Sequence, residues 1–127
     1  MREADTKARL LQALARRVGA AQAVGMAELF EEVYSRPVQH RINDTRALRR
    51  MITVLRLDGV PIASVSDSER GGYYLAAAGP ELEDYLRRLR RRGLTALAQE
   101  ARIRNIGLPE LLSRLQVRPQ EKSHAAG

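Results

Sequence analysis

The chain contains no cysteine among its 127 residues. This absence excludes disulfide bonds, thiolate nucleophiles and cysteine-ligated zinc. Tryptophan is absent as well, and the aromatic residues are one phenylalanine and four tyrosines. Proteins that bind single-stranded nucleic acid usually stack bases on several exposed rings, so this composition argues against that class and against an RNA binder. The core is expected to be mostly aliphatic.

Long hydrophobic runs are also absent from the sequence. No segment approaches the roughly 20 apolar residues that a membrane helix needs, and no early run resembles a signal peptide. The expected compartment is therefore the cytoplasm, with no membrane partner. Walker-type loops and the Gly-x-Ser-x-Gly and His-Glu-x-x-His motifs are missing, and His40 and His124 have no partners at ligand spacing. We therefore expect a protein that is not an enzyme and holds no metal or cofactor.

Positive charge is what the sequence has in excess. The chain has 22 lysines and arginines against 15 acidic residues, a net charge of +7 and a pI of about 10.7. Such a balance favours a polyanionic partner such as DNA, RNA or an anionic membrane surface. Lys7 and Lys122 are the only lysines. Arginine suits bidentate contacts to phosphate and guanine, although a GC-rich genome produces the same preference through codon usage.

Apolar periodicity predicts two helices in the first part of the chain. The first covers about 5–18 and ends at Gly19, and the second covers 26–34 and is stopped by Pro37. Between them, residues 22–24 can form a short strand.

A third helix is predicted from Asn43 or Asp44, as its cap, to about Leu57, with Gly59 as its end. Its apolar face repeats at i, i+3, i+4 and i+7 and consists of Leu48, Met51, Ile52 and Leu55. Its opposite face is polar and consists of Arg46, Arg49, Arg50, Thr53 and Arg56. The two faces hardly mix.

A β-hairpin is predicted directly after this helix. Pro61 and the β-branched residues around it begin one strand, and the serines and paired glycines of 66–72 permit a sharp reversal. In the second strand, 73–76, alternate side chains are expected to face the helices and the outside.

Two neighbouring segments resemble a known family. They are Leu-Arg-Leu-Asp-Gly-Val-Pro-Ile-Ala-Ser over 55–64 and Gly-Gly-Tyr-Tyr-Leu-Ala over 71–76. Together they resemble the end of the recognition helix and the wing of winged helix-turn-helix proteins, in particular small DNA-binding proteins of bacteriophages and their bacterial hosts. The resemblance covers about 6–78 and implies a winged helix-turn-helix domain with double-stranded DNA as its partner. The segment 38–42 is longer than the tight turn of the simplest helix-turn-helix units.

Three groups of residues are candidate DNA contacts. The guanidinium groups of the third helix can fork onto guanine, and its threonine can touch a thymine methyl or a phosphate. Basic residues before that helix and polar residues of the wing can contact the backbone, although Asp67 and Glu69 would repel phosphates. Each group can also be a solvated surface. The full set is Arg46, Arg49, Arg50, Thr53, Arg56, Arg41, His40, Ser66, Ser68 and Arg70.

A helical extension is predicted over 79–116, after a DNA-binding domain of 1–78. Pro80 opens a fourth helix that Gly93 ends, and shorter helices follow over 94–104 and 109–115. The arginines of 87–92 can neutralise flanking phosphates, bind an acidic partner or remain solvated. The tail, 117–127, is expected to be disordered.

The surplus of leucines from Leu82 to Leu115 predicts a homo-oligomer, since a two-fold protein matches a palindromic DNA site. The sequence thus favours sequence-specific binding of double-stranded DNA by a phage-like transcriptional or replication regulator. The alternative is a winged-helix interaction module that binds a polymerase or a replication factor through its leucine-rich end.

Overall fold

The computed structural model of the protein describes residues 2–66 and 71–115. Within these ranges the chain forms five α-helices, a short 3-10 helix and a two-stranded antiparallel sheet, so the predicted mainly α fold with a small β-hairpin is confirmed. In chain order the elements are α1 (Glu3–Ala15), the 3-10 helix (Ala20–Gln22), α2 (Met26–Tyr34), α3 (Asn43–Leu57), β1 (Ile62–Val65), β2 (Gly72–Leu75), α4 (Pro80–Arg104) and α5 (Leu108–Leu115). None of these helices has both the length and the apolar character needed to cross a membrane.

The chain divides into two compact units, residues 1–85 and 86–127. The described part of the first unit contains α1 to β2 and the first turns of α4. The described part of the second unit contains the rest of α4 and all of α5. The division thus falls inside α4, whereas the sequence places a boundary after residue 78. The predicted disordered tail, 117–127, lies outside the described residues.

Side chains from α1, α2, α3 and β1, together with Val24 before α2, form the main core of the first unit. It is aliphatic apart from Phe30, which is fully buried. Each such side chain contributes roughly 1.5–3 kcal/mol when it leaves water. The buried members are Leu10, Ala13, Leu14, Val24, Leu29, Phe30, Val33, Leu48, Met51, Ile52, Leu55 and Ile62.

The hairpin is joined by a third short segment at its edge. β1 and β2 pair with Ile62 opposite Leu75. Val24 and Tyr73 exchange both backbone hydrogen bonds, at 2.9 and 2.8 Å, so the strand expected over 22–24 is present as one bridge. Gly72 permits this approach, because a Cβ atom at that position would overlap the carbonyl group of Val24.

Both faces of β2 are covered, so the prediction that one pair of its side chains faces outward is wrong. Tyr73 and Leu75 are half-buried against the main core. Tyr74 and Ala76 are buried on the opposite face, where they cluster with Tyr85 from the first turns of α4. The start of α4 therefore belongs to the packing of the hairpin.

Two helix boundaries differ from the sequence-based expectation. α1 ends at Ala15, and Val18, expected on its apolar face, instead forms a bridge with Leu75 and is 49% exposed. α4 continues through Gly93, which was expected to end it. A single glycine inside a helix costs only about 1 kcal/mol relative to alanine, and the arginines and leucines around it are strong helix formers.

Candidate nucleic-acid interface

α3 separates its charged side chains from its apolar ones. One side is buried and consists of Thr45, Leu48, Met51, Ile52 and Leu55. The other side is exposed and includes all five predicted contact residues of the helix, Arg46, Arg49, Arg50, Thr53 and Arg56. Because the apolar set repeats with the helical period, burying it forces the arginines outward.

Helical spacing orders these side chains across the exposed face. Arg46, Arg50 and Thr53 lie along its middle, since they are related by steps of four and three residues. Leu57, four residues further, continues this row and is 83% exposed. Sequence reasoning missed Leu57, although its spacing from Thr53 was a usable signal.

Arg56 is attached to the hairpin. Its Nε donates a hydrogen bond to the carbonyl oxygen of Ile62 at 2.8 Å, and its guanidinium lies 5.8 Å from the centre of the Tyr73 ring. A cation over an aromatic face is held by the ring quadrupole. Arg56 therefore has a structural role that the sequence pattern did not reveal, and it fixes the hairpin beside one edge of the α3 face.

The other arginines of the first unit differ in whether a carboxylate neutralises them. Arg16 lies 3.0 Å from Glu32, and Arg17 contacts the same carboxylate. Arg36, before α3, lies 3.5 Å from Asp44. In contrast, six arginines form no ion pair with any residue that the structure describes: Arg2, Arg9, Arg41, Arg46, Arg49 and Arg50. Arg9 instead donates hydrogen bonds to the Val33 carbonyl oxygen and the Ser35 hydroxyl, so the arginines whose side chains have neither kind of contact with a described residue are Arg2 and the four in and just before α3. Positive charge at α3 is thus left available to an external anion.

Glu32 links α2 to the end of α1. Burial alone would raise the pKa of Glu32, but hydrogen bonds from Arg16 and Arg17 and their positive charges lower it below the ordinary value. The carboxylate is therefore ionised at neutral pH and forms ion pairs with both guanidinium groups. The pair holds together the helices on which α3 packs.

Asp44 organises the turn that leads into α3. Neither Asn43 nor Asp44 caps the helix with its side chain, so that expectation is wrong, and the position before the helix is Ile42. Instead, the Asp44 carboxylate accepts hydrogen bonds from the backbone N–H groups of Gln39 and His40, at 2.9 and 3.0 Å. These bonds, together with Arg36, lower the pKa of Asp44.

This turn places His40 and Arg41 just before α3, and both are exposed. The carbonyl group of Arg41 accepts a bond from the buried Thr45 hydroxyl at 2.6 Å, which fixes the backbone there. Both predicted residues are therefore held next to the α3 face. In residues 2–66 and 71–115, no three acidic or histidine side chains are grouped so that they could hold a metal ion.

Thr53 and Arg50 have defined local surroundings. The Thr53 hydroxyl donates to the carbonyl oxygen of Arg49 at 3.1 Å, so the side chain offers a ligand its methyl group and an acceptor oxygen. Arg50 borders an open cavity of about 280 Å³ that Tyr34 and Val54 also line. A thymine methyl is therefore a better match for Thr53 than a phosphate, which needs a donor.

Only part of the predicted wing can be located. Ser64 in β1 and Ser66 just after it are exposed. Ser68 and Arg70 lie outside the described residues. The arrangement brings together exposed guanidinium groups, a threonine methyl and a polar hairpin, which are groups that bind phosphates and base edges. No protein-family model matches the chain, and no curated protein or solved structure is found to match it.

Proposed function

We propose that the first unit is a winged helix-turn-helix domain that binds double-stranded DNA in a sequence-specific way. α3 enters the major groove, and the hairpin between β1 and β2 acts as the wing against the backbone. In this role the protein regulates transcription or replication, as the resemblance to phage-encoded DNA-binding proteins implies.

One observation carries this proposal: Arg46, Arg49 and Arg50 are exposed on one side of α3 without a described carboxylate partner. A charged helix face that served only solubility would be expected to mix signs or to form pairs along the helix. The predicted face has three uncompensated cations within about 6 Å of helix axis. Each guanidinium can donate two parallel hydrogen bonds to N7 and O6 of guanine.

The order of elements supports the same proposal. Three helices are followed by a hairpin that Arg56 and Tyr73 hold beside α3, so the exposed Ser64 of β1, and Ser66 just after it, lie toward the edge of the basic face. Serine hydroxyls donate to phosphate oxygens. His40 and Arg41, in the turn that Asp44 organises before α3, are suited to contact the DNA backbone beside the groove.

A charge-matched pair of variants tests the proposal. Arg49→Gln/Arg50→Gln removes two charges from the α3 face. Arg104→Gln/Arg114→Gln removes two charges that are already paired with Glu100 and Glu110, at 2.8 and 2.6 Å. Affinity for duplexes selected by the wild-type protein is measured by fluorescence anisotropy.

We expect the α3 variant to bind at least about 30-fold more weakly, since each bidentate contact is worth about 1–3 kcal/mol. The control should stay within about threefold of wild type. Circular dichroism of both variants should be that of the folded protein. Equal affinities of the two variants would show that α3 is not the element that reads the DNA sequence.

The second unit suggests a homodimer. Part of the predicted leucine set is used inside the chain, because Leu82 packs against the hairpin cluster and Leu111 is 1% exposed. Leu97, Leu108 and Leu112 are half-buried. The exposed members are Leu86, Leu89, Leu94, Ile103 and Leu115. We propose that a second copy covers Leu86 and Leu89, which are three residues apart on one side of α4, and that this gives a two-fold protein for a palindromic site. A dimeric mass in solution, lost in Leu89→Glu, tests this.

The same exposed leucines favour the second candidate function, docking to a polymerase or replication protein. A monomeric mass at high concentration would support that alternative, because the apolar side chains would then lack a partner in the free protein. Pull-down after nuclease treatment separates a direct protein partner from one held through DNA.

A further inference from the structure

α4 carries a row of polar and basic side chains in the second unit. Steps of three and four residues place them on one side of the helix, and all are exposed: Arg88, Arg91, Arg92, Thr95, Gln99 and Arg102. We call these six residues the α4 row. On the other side of the helix, Leu97 is half-buried and Ala101 is 2% exposed. Ala98, which borders the row beside Arg91 and Thr95, is also half-buried, so most of the row, but not this edge, is turned away from the packing.

Within residues 86–115 the α4 row has no counter-charge on its own side of the helix, whereas Asp84, four residues before Arg88, places one carboxylate at its N-terminal end. Residues 86–115 contain eight arginines but only two acidic residues, Glu100 and Glu110. Both carboxylates are engaged one turn away along their own helices, by Arg104 at 2.8 Å and by Arg114 at 2.6 Å. The four arginines of the row therefore form no ion pair with a described residue.

Shape and spacing also suit an extended anion. The long side chains of the row, among them Arg88, Arg91, Thr95 and Gln99, surround an open space of about 460 Å³ on the surface of α4. From Arg88 to Arg102 the helix rises about 21 Å, at 1.5 Å per residue. This length corresponds to about six base pairs along a duplex. Guanidinium, hydroxyl and amide donors are the groups that bind phosphate oxygens.

We propose that the α4 row is a second DNA-binding surface, which holds the sugar-phosphate backbone of a duplex by charge and does not read bases. This inference rests on the proposed function for its ligand, but it concerns different residues on a different unit. The row would add affinity equally for all sequences, while α3 supplies the discrimination. Its chemistry fits a polyanion because uncompensated arginines are repeated along one line.

The test compares three double variants that have the same net charge, changed from +7 to +5. They are Arg88→Gln/Arg91→Gln in the row, Arg49→Gln/Arg50→Gln in α3 and the paired control Arg104→Gln/Arg114→Gln. The dissociation constant is measured against salt concentration, for a selected duplex and for a scrambled one. Each lost phosphate contact should reduce the slope of log affinity against log salt by about 0.9.

For the row variant we expect a slope smaller by about 1.8 and at least about tenfold weaker binding at 0.1 M salt, by the same loss on both duplexes. A row variant that behaves as the control does would overturn the proposal, whatever the α3 variant shows. If the row variant loses affinity while the α3 variant does not, the proposal for the α4 row is supported and the assignment of α3 as the reading helix is wrong. Loss of binding to poly-glutamate with unchanged DNA binding would assign the row to an acidic protein and also overturn it.

Discussion

Arg56 and Tyr85 donate hydrogen bonds to the same acceptor, the carbonyl oxygen of Ile62. Arg56 Nε lies at 2.8 Å and the Tyr85 hydroxyl at 3.3 Å from this oxygen. The two donors come from α3 and from the first turns of α4, so one carbonyl group at the start of β1 joins three elements. The proposed reading helix and wing are thereby fixed to each other through a backbone atom.

The Tyr85 contact predicts a stability loss without a binding defect. Tyr85→Phe removes a buried hydroxyl, and we expect the free energy of unfolding to fall by about 0.5–1.5 kcal/mol in urea denaturation. Tyr73→Phe is the control, since the Tyr73 hydroxyl makes no hydrogen bond to a described residue. Equal losses in the two variants would show that the bond to Ile62 contributes nothing.

Arg56 and Arg49 should differ although both belong to the exposed face of α3. Arg56→Gln loses the bond to Ile62 and the contact with Tyr73, so we expect both weaker DNA binding and a free energy of unfolding lower by roughly 1 kcal/mol. Arg49→Gln should weaken binding and leave stability within about 0.5 kcal/mol. Thermal unfolding and anisotropy on the same samples distinguish these effects. Identical stabilities would mean that Arg56 does not hold the hairpin.

Gly72 should not tolerate a side chain. In Gly72→Ala the new methyl group would overlap the Val24 carbonyl group, and the bridge between Val24 and Tyr73 should open at a cost of about 1–3 kcal/mol. At Gly25, one residue from this bridge, a Cβ atom would lie at an ordinary 3.5 Å from the nearest backbone oxygen. Gly25→Ala should therefore cost less than about 1 kcal/mol, and a reversed order would contradict the close approach.

Acid should weaken the junction of α1 and α2. The folded-state pKa of Glu32 is lowered, so its contribution to stability is present above the unfolded value of about 4.3 and is lost as the pH falls through the folded value. We expect the free energy of unfolding to decrease below about pH 4. Glu32→Gln should flatten this decrease. Glu31→Gln, at an exposed position of α2, should not, and matching pH profiles would contradict the role given to Glu32.

The sequence predicts best where local pattern and tertiary packing require the same arrangement. α3 runs from Asn43 to Leu57 as expected, because its apolar and charged residues separate cleanly at the helical period. The hairpin follows from β-branched residues beside serine and glycine. Exposure of the arginines could be predicted for the same reason, since burying Leu48 and Ile52 leaves them no other side.

What the sequence did not reveal depends on contacts between distant segments. Tyr74 is buried because Tyr85 packs against it, and the periodicity of the sequence cannot show that Tyr85 lies next to the hairpin. In the sequence Arg56 cannot be distinguished from the other arginines of α3, because its contacts with Ile62 and Tyr73 form only in the folded chain. Gly93 resembles a helix end because local propensity cannot show that its helix continues to Arg104. The ion pairs of Arg16 and Arg17 with Glu32, and of Arg36 with Asp44, likewise become visible only in the fold.

Selection of bound duplexes from a random library, performed in parallel with the wild-type protein and with Arg50→Ala, tests directly whether α3 reads DNA. We expect the wild-type protein to enrich a motif containing guanine, and the variant to relax the preference at one position of that motif while keeping the others. Pools that stay random with the wild-type protein, or an unchanged motif with the variant, would contradict the assignment of α3 as the element that reads DNA.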